Sequence, residues 1–143
     1  MMMKKFALIS ALAFSAFPLF AYADDISIMN NTNSPGTGYL SGKYSDSPCS
    51  SDAGTGGVIE PHSSIVLPEY VINLIYCSIS PCKGTIFMST NCSGRKIATV
   101  TIDRRKGVTD ITNHNVDGYI VSGGGSSISI NGGPTKKWYN FLF

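Results

Sequence analysis

Residues 84–104 read GTIFMSTNCSGRKIATVTIDR. Two runs rich in β-branched residues, Gly84 to Thr90 and Arg95 to Asp103, flank Asn91-Cys92-Ser93-Gly94, where the glycine accepts positive φ at little cost. In the second run Ala98, Val100 and Ile102 share one face while Thr99 and Thr101 share the other, the alternation of a half-buried strand. The stretch predicts a β-hairpin with one face turned to a core. Asp103-Arg104-Arg105-Lys106-Gly107 then predicts a tight connection to a further strand, Val108 to Thr112.

The same pattern extends in both directions. Upstream, Ile26 and Ile28 alternate with Ser27, Thr37 to Tyr44 follows a Ser34-Pro35-Gly36 turn, and Ser64 to Leu67 closes on Pro68. Val71 to Cys77 is densely apolar and β-branched; its length also permits a helical turn, but the isoleucines and valine favour a strand inside a sandwich. Residues 45–57, SDSPCSSDAGTGG, are a polar loop. Downstream, Tyr119 to Ser122 and Ser127 to Asn131 bracket Gly123-Gly124-Gly125. Turn signals at this spacing predict an all-β fold, an antiparallel β-sandwich of about 7–9 short strands.

The N-terminus sets the compartment. Lys4 and Lys5 precede an apolar run from Phe6 to Phe20 and the small-x-small motif Ala21-Tyr22-Ala23. This is the pattern of a secretory signal peptide over residues 1–23, and it leaves residues 24–143 as a single domain. The run is shorter than the roughly 20 apolar residues of a membrane-spanning helix. Lys4 and Lys5 account for the formal charge of +2, so the remainder is formally neutral. A neutral chain lacks the field of a general nucleic-acid binder.

Cys49, Cys77, Cys82 and Cys92 are even in number and have no C-x2-C pairing, so in an exported chain they read as two disulfides rather than a zinc site. Cys82 and Cys92 flank a strand. At about 3.3 Å per residue that strand holds them much farther apart than the roughly 7 Å between the Cα atoms of a disulfide. Cys77 with Cys82 closes a short Pro-containing loop. That leaves Cys49 with Cys92, tying the polar loop to the tip of the hairpin.

No catalytic set is apparent. His62 lies in Glu60-Pro61-His62-Ser63-Ser64, and His114 lies between Asp110 and Asp117 in a polar connection. Neither matches a nucleophile elbow or a zinc-protease helix. His114 with Asp110 or Asp117 is the one metal candidate, and polar turns gather these residues for hydrogen bonding alone. The glutamates Glu60 and Glu69 offer no recognisable acid–base pair. Arg104-Arg105-Lys106, with Arg95 and Lys96, is the basic cluster, read as a solvated turn. We expect no cofactor.

Lys136 to Phe143 closes the sequence with alternating Tyr139, Phe141 and Phe143. It reads as a last strand packing on the core, as a strand like those ending bacterial outer-membrane barrels, or as a segment whose Trp138, Tyr139 and Phe141 contact a partner. The strands elsewhere are shorter than a membrane barrel uses.

Ile26-Ser27-Ile28-Met29-Asn30-Asn31-Thr32 and Ile59-Glu60-Pro61-His62-Ser63-Ser64 resemble the opening strands of thaumatin-like β-sandwiches, without that family's dense cysteine framework. The whole of residues 24–143 is similar to small uncharacterised exported proteins of gammaproteobacteria. Neither resemblance carries an active site onto these positions. The expected function is that of an exported, periplasmic or secreted, non-catalytic binding protein. It would contact a protein or glycan through its loops or the C-terminal aromatic segment. A small hydrolase or metal-dependent enzyme and a structural surface protein are the alternatives.

Overall fold

The computed structural model describes residues 25–53 and 56–134. The leader read at residues 1–23 and the aromatic segment 136–143 lie outside the described residues.

Eight strands form among the described residues: β1 (Ile26–Asn30), β2 (Thr37–Ser41), β3 (Ser63–Leu67), β4 (Cys82–Phe87), β5 (Lys96–Asp103), β6 (Gly107–Asn113), β7 (Tyr119–Gly124) and β8 (Ser127–Gly132). They make two four-stranded sheets, ordered β3-β1-β8-β7 and β2-β4-β5-β6. The all-β sandwich expected from the sequence is the fold. One pairing departs from the antiparallel expectation: β1 and β8 run parallel, Ser27 opposite Ser127 and Asn30 opposite Ile130. A parallel pair needs a long crossover, and here all six intervening strands supply it.

The hairpin of residues 84–104 is present as β4 and β5. Its turn is longer than Asn91–Gly94, because β4 ends at Phe87 and β5 begins at Lys96. Ile86 opposes Ala98 while Phe87 opposes Lys96, so Ile97 is the extra residue of a bulge. That is why Ile97 and Ala98, adjacent in sequence, are both buried. From there Val100 and Ile102 alternate into the core with Ile128 and Ile130 of the facing sheet.

Val71–Tyr76 is not a strand. It forms a π-helical turn in which the Cys77 N–H donates to the Ile72 carbonyl over 2.7 Å. The chain leaves the edge of one sheet at Leu67 and enters the interior of the other at Cys82. The turn therefore spans one end of the sandwich. It buries Ile72 and Cys77 and leaves Ile75 half exposed. The Asp25 carboxylate accepts the Glu69 N–H at 2.7 Å as the turn begins.

Both disulfides pair as the sequence favoured. Cys49–Cys92 has a Cα separation of 5.9 Å and Cys77–Cys82 one of 5.1 Å. Two such bridges point to maturation in an oxidising, exported environment. No helix among the described residues is long and apolar enough to cross a membrane.

Candidate functional site: an apolar slot beside a free strand edge

The two flanks of the sandwich are joined differently. On the β6/β7 flank, Val108 and Gly125 exchange reciprocal backbone hydrogen bonds of 2.9 and 2.8 Å. Farther along, the Asn113 side chain acts as a strand segment. Its Nδ2 donates to the Val121 carbonyl (3.0 Å), and its Oδ1 accepts the Val121 N–H (2.8 Å).

On the β2/β3 flank the sheets meet only at one end. There Gly36 and Ile59 exchange backbone bonds of 2.9 and 2.8 Å. The crossing is pinned from below by Asn30, fully buried, whose Nδ2 donates to the carbonyls of Ile59 and Ser34. Its Oδ1 accepts from the Thr32 N–H and hydroxyl. Beyond the crossing, a cavity of about 520 Å³ opens between the sheets. Its walls are Ile28, Ile65 and Leu67 on one side and Leu40, Ile86 and Val100 on the other, and none of its lining residues is charged. Val66 (56 % exposed), Tyr70 (57 %) and Ile75 (50 %) also line it and bring apolar surface out to solvent. A pocket of this size and lining is of the kind that takes ligands, as pockets of roughly 300–1,000 Å³ do.

The strand edges bordering the slot differ as well. The outward groups of β2 are satisfied by the polar loop. Gly38 N–H donates to Ser50 Oγ (3.1 Å), Leu40 N–H to Ser47 Oγ (2.8 Å), and Ser47 N–H to the Leu40 carbonyl (2.7 Å). The Cys49–Cys92 bridge holds that loop in place. The edge of β3 has no such cover among the described residues. Ser27 and Asn31 of the β1 segment turn their N–H groups to β8, so Ile26, Ile28 and Asn30 face β3 and bond Leu67, Ile65 and Ser63. By alternation, the N–H and carbonyl groups of Ser64 and Val66 point outward. Such an edge is a template for another strand.

The residues singled out from sequence are scattered. His62 is exposed at the bend into β3, with φ +57°, and its Nε2 lies 2.8 Å from Asn33 Oδ1. His114 sits after β6 on the other sheet, its Nε2 3.1 Å from Thr99 Oγ1. No group of three or more His, Cys, Asp or Glu side chains gathers to hold a metal among the described residues. All four cysteines are in bridges. The basic turn is tied down: Asp103 Oδ1 accepts the N–H groups of Arg105 and Lys106 (2.8 and 2.9 Å), and Arg104 Nη1 donates to the Ser78 carbonyl (3.0 Å). The Arg105 and Lys106 backbone bonds hold the Asp103 carboxyl below the usual carboxylate range. Trp138, Tyr139 and Phe141 lie outside the described residues.

The slot itself went unread. Its one local signal is Ile65-Val66-Leu67, three apolar residues in a row on a strand with a solvent-facing side. Comparison with protein-family models, curated proteins and solved structures finds no match to this chain.

Proposed function

We propose that the protein is an exported binding protein that holds an extended apolar segment of a protein in the slot between β2 and β3. The supporting observation is the coincidence of an uncharged apolar slot with the unpaired edge of β3. The slot offers pockets for alternate side chains, and the edge offers backbone donors and acceptors, the two halves of recognition by strand addition. A glycan needs polar partners along its length, and the slot walls named above are aliphatic. The dispersed histidines give no support to a hydrolase. Residues 1–23 serve in this reading as the export leader, removed before Asp24. An intact mass beginning at Asp24 and four hydrogens below the fully reduced form tests that part.

Nile red, neutral like the slot, tests the site. It is titrated into the full mature chain and into a form with Trp138, Tyr139 and Phe141 each replaced by serine, so that these rings do not compete with the dye. We expect a gain in emission that Ile65→Trp, which fills the slot, weakens at least about tenfold, a change equivalent to 1.4 kcal/mol. His62→Ala and His114→Ala leave it unchanged. No gain in either form, or a gain indifferent to Ile65→Trp, overturns the reading.

A further inference from the structure

We infer that the slot of the resting protein is occupied by the chain's own stretch Tyr139–Phe143, added as a strand along the open edge of β3. This rests on the reading of the slot as a strand-acceptor site and names what regulates it.

Three observations carry the inference. The first is reach. Ile130 lies opposite Asn30, and Asn30 lies opposite Ser63, so the far end of β8 and the head of β3 are at the same end of the sheet. The described chain leaves β8 at Gly132 and ends at Pro134 at that end. Passing two strands to a position outside β3 takes about 14 Å at the usual spacing of neighbouring strands. Residues 135–143 reach about 30 Å when extended. Four residues make the crossing, and five remain, the length of β3.

The second is chemistry. Trp138 to Phe143 carries no charged side chain, and neither does the slot lining. Tyr139, Phe141 and Phe143 recur at every second residue, so a strand carries all three on one face. Lys136 and Lys137 precede this stretch in sequence, and Glu60 is exposed beside the Gly36–Ile59 junction. The third is the edge itself. An aliphatic ligand would fill the slot and leave the outward groups of Ser64 and Val66 unpaired, whereas a peptide strand satisfies both.

The protein has a single tryptophan, so an indole moved along this stretch reports its surroundings without interference. In the full mature chain, Trp138→Phe combined with Phe141→Trp should give blue-shifted emission shielded from acrylamide. Trp138→Phe combined with Leu142→Trp should give a more quenchable indole, since position 142 faces away. Val66→Pro removes an outward N–H and spares the bonds to β1, a change that edge strands tolerate. It should release the shielding at position 141 while the far-UV spectrum and melting temperature stay near those of the parent. Tyr139→Ser with Phe141→Ser and Phe143→Ser should tighten Nile red binding by about fivefold or more, roughly 1 kcal/mol of competition removed.

Equal quenching at positions 141 and 142, shielding indifferent to Val66→Pro, or unchanged dye affinity overturns the inference. Shielding that disappears on dilution also overturns it, because the strand then comes from a second copy. These failures leave the slot reading intact, which falls only when the dye finds no site sensitive to Ile65→Trp.

Discussion

The β6/β7 flank and the β2/β3 flank solve the same problem in opposite ways. Each must join the edges of two sheets that share a core. On the first, the Val108–Gly125 exchange and the Asn113 amide stitch the edges at two heights, with the Val108 side chain reaching the cavity from that side. On the second, a single junction at Gly36 and Ile59 holds the top, and the sheets part below it. The contrast teaches that openness here is local. The same core residues, Val100 and Ile102, belong to the buried cluster and also line the cavity.

The contrast can be broken from either side. The largest effect is expected from replacing Cys49 and Cys92 together by serine. Their sequence separation is 43, and releasing a closure of that size costs about 4 kcal/mol in the chain-entropy model. The loss is read as a lower urea midpoint, with a higher m-value because the unlinked denatured chain exposes more surface. The loop that covers the β2 edge should loosen with it, so dye binding changes as well.

Gly107→Ala attacks the stitched flank. The residue has φ +77°, and an added Cβ would run into the Gly125 carbonyl, so a loss of about 2–3 kcal/mol is expected. Asn113→Ala strips both bonds to Val121 and should cost about 2 kcal/mol. Both variants should leave Nile red affinity unchanged wherever the protein remains folded, because neither residue borders the slot. Equal effects on stability and dye binding would show that the two flanks are not independent.

Ser47→Ala sharpens the difference between the two edges. It removes the cap from the Leu40 N–H at a cost of about 1 kcal/mol, and the uncovered β2 edge should raise self-association in light scattering.

The smallest effect concerns pH. Asp103 is held ionised by the N–H groups of Arg105 and Lys106, so its folded value lies below the ordinary 3.8. Its contribution to stability is therefore complete above that value and fades as pH falls through the lowered one. Asp103→Asn should flatten the acid limb of the stability profile by lowering stability slightly at neutral pH while leaving it unchanged below the lowered value.

Most of the scaffold was legible in the sequence because period-two alternation is a local signal. The positions of β1, β3, β7 and β8 are recognisable from it, and strand length together with the short Cys77–Cys82 loop favoured the observed disulfide pairing. Val71–Tyr76 misled for a physical reason. Its β-branched residues suit a strand, but the segment carries the chain from one sheet to the other and pairs with neither. The parallel β1–β8 pair was hidden because nothing within either segment encodes which strand lies beside it. The slot was hidden for the same reason. Ile28, Ile65 and Leu40 look like ordinary core residues, and only the parting of the sheets leaves a space between them. The serines at 47 and 50 read as loop composition, although their hydroxyls complete the hydrogen bonding of β2.

The position of β1 has a consequence for biogenesis. Of the described strands it is the first to be synthesised, yet it sits between β3 and β8, and one of its two neighbours is the last strand of the described fold. Until β8 arrives, half of its backbone groups have only water to bond, and the contacts that complete it span about a hundred residues. Such non-local pairing slows folding and prolongs the exposure of sticky edges. A chain of this design stays unfinished until nearly all of it has been made, so its first strand keeps an open edge for most of synthesis.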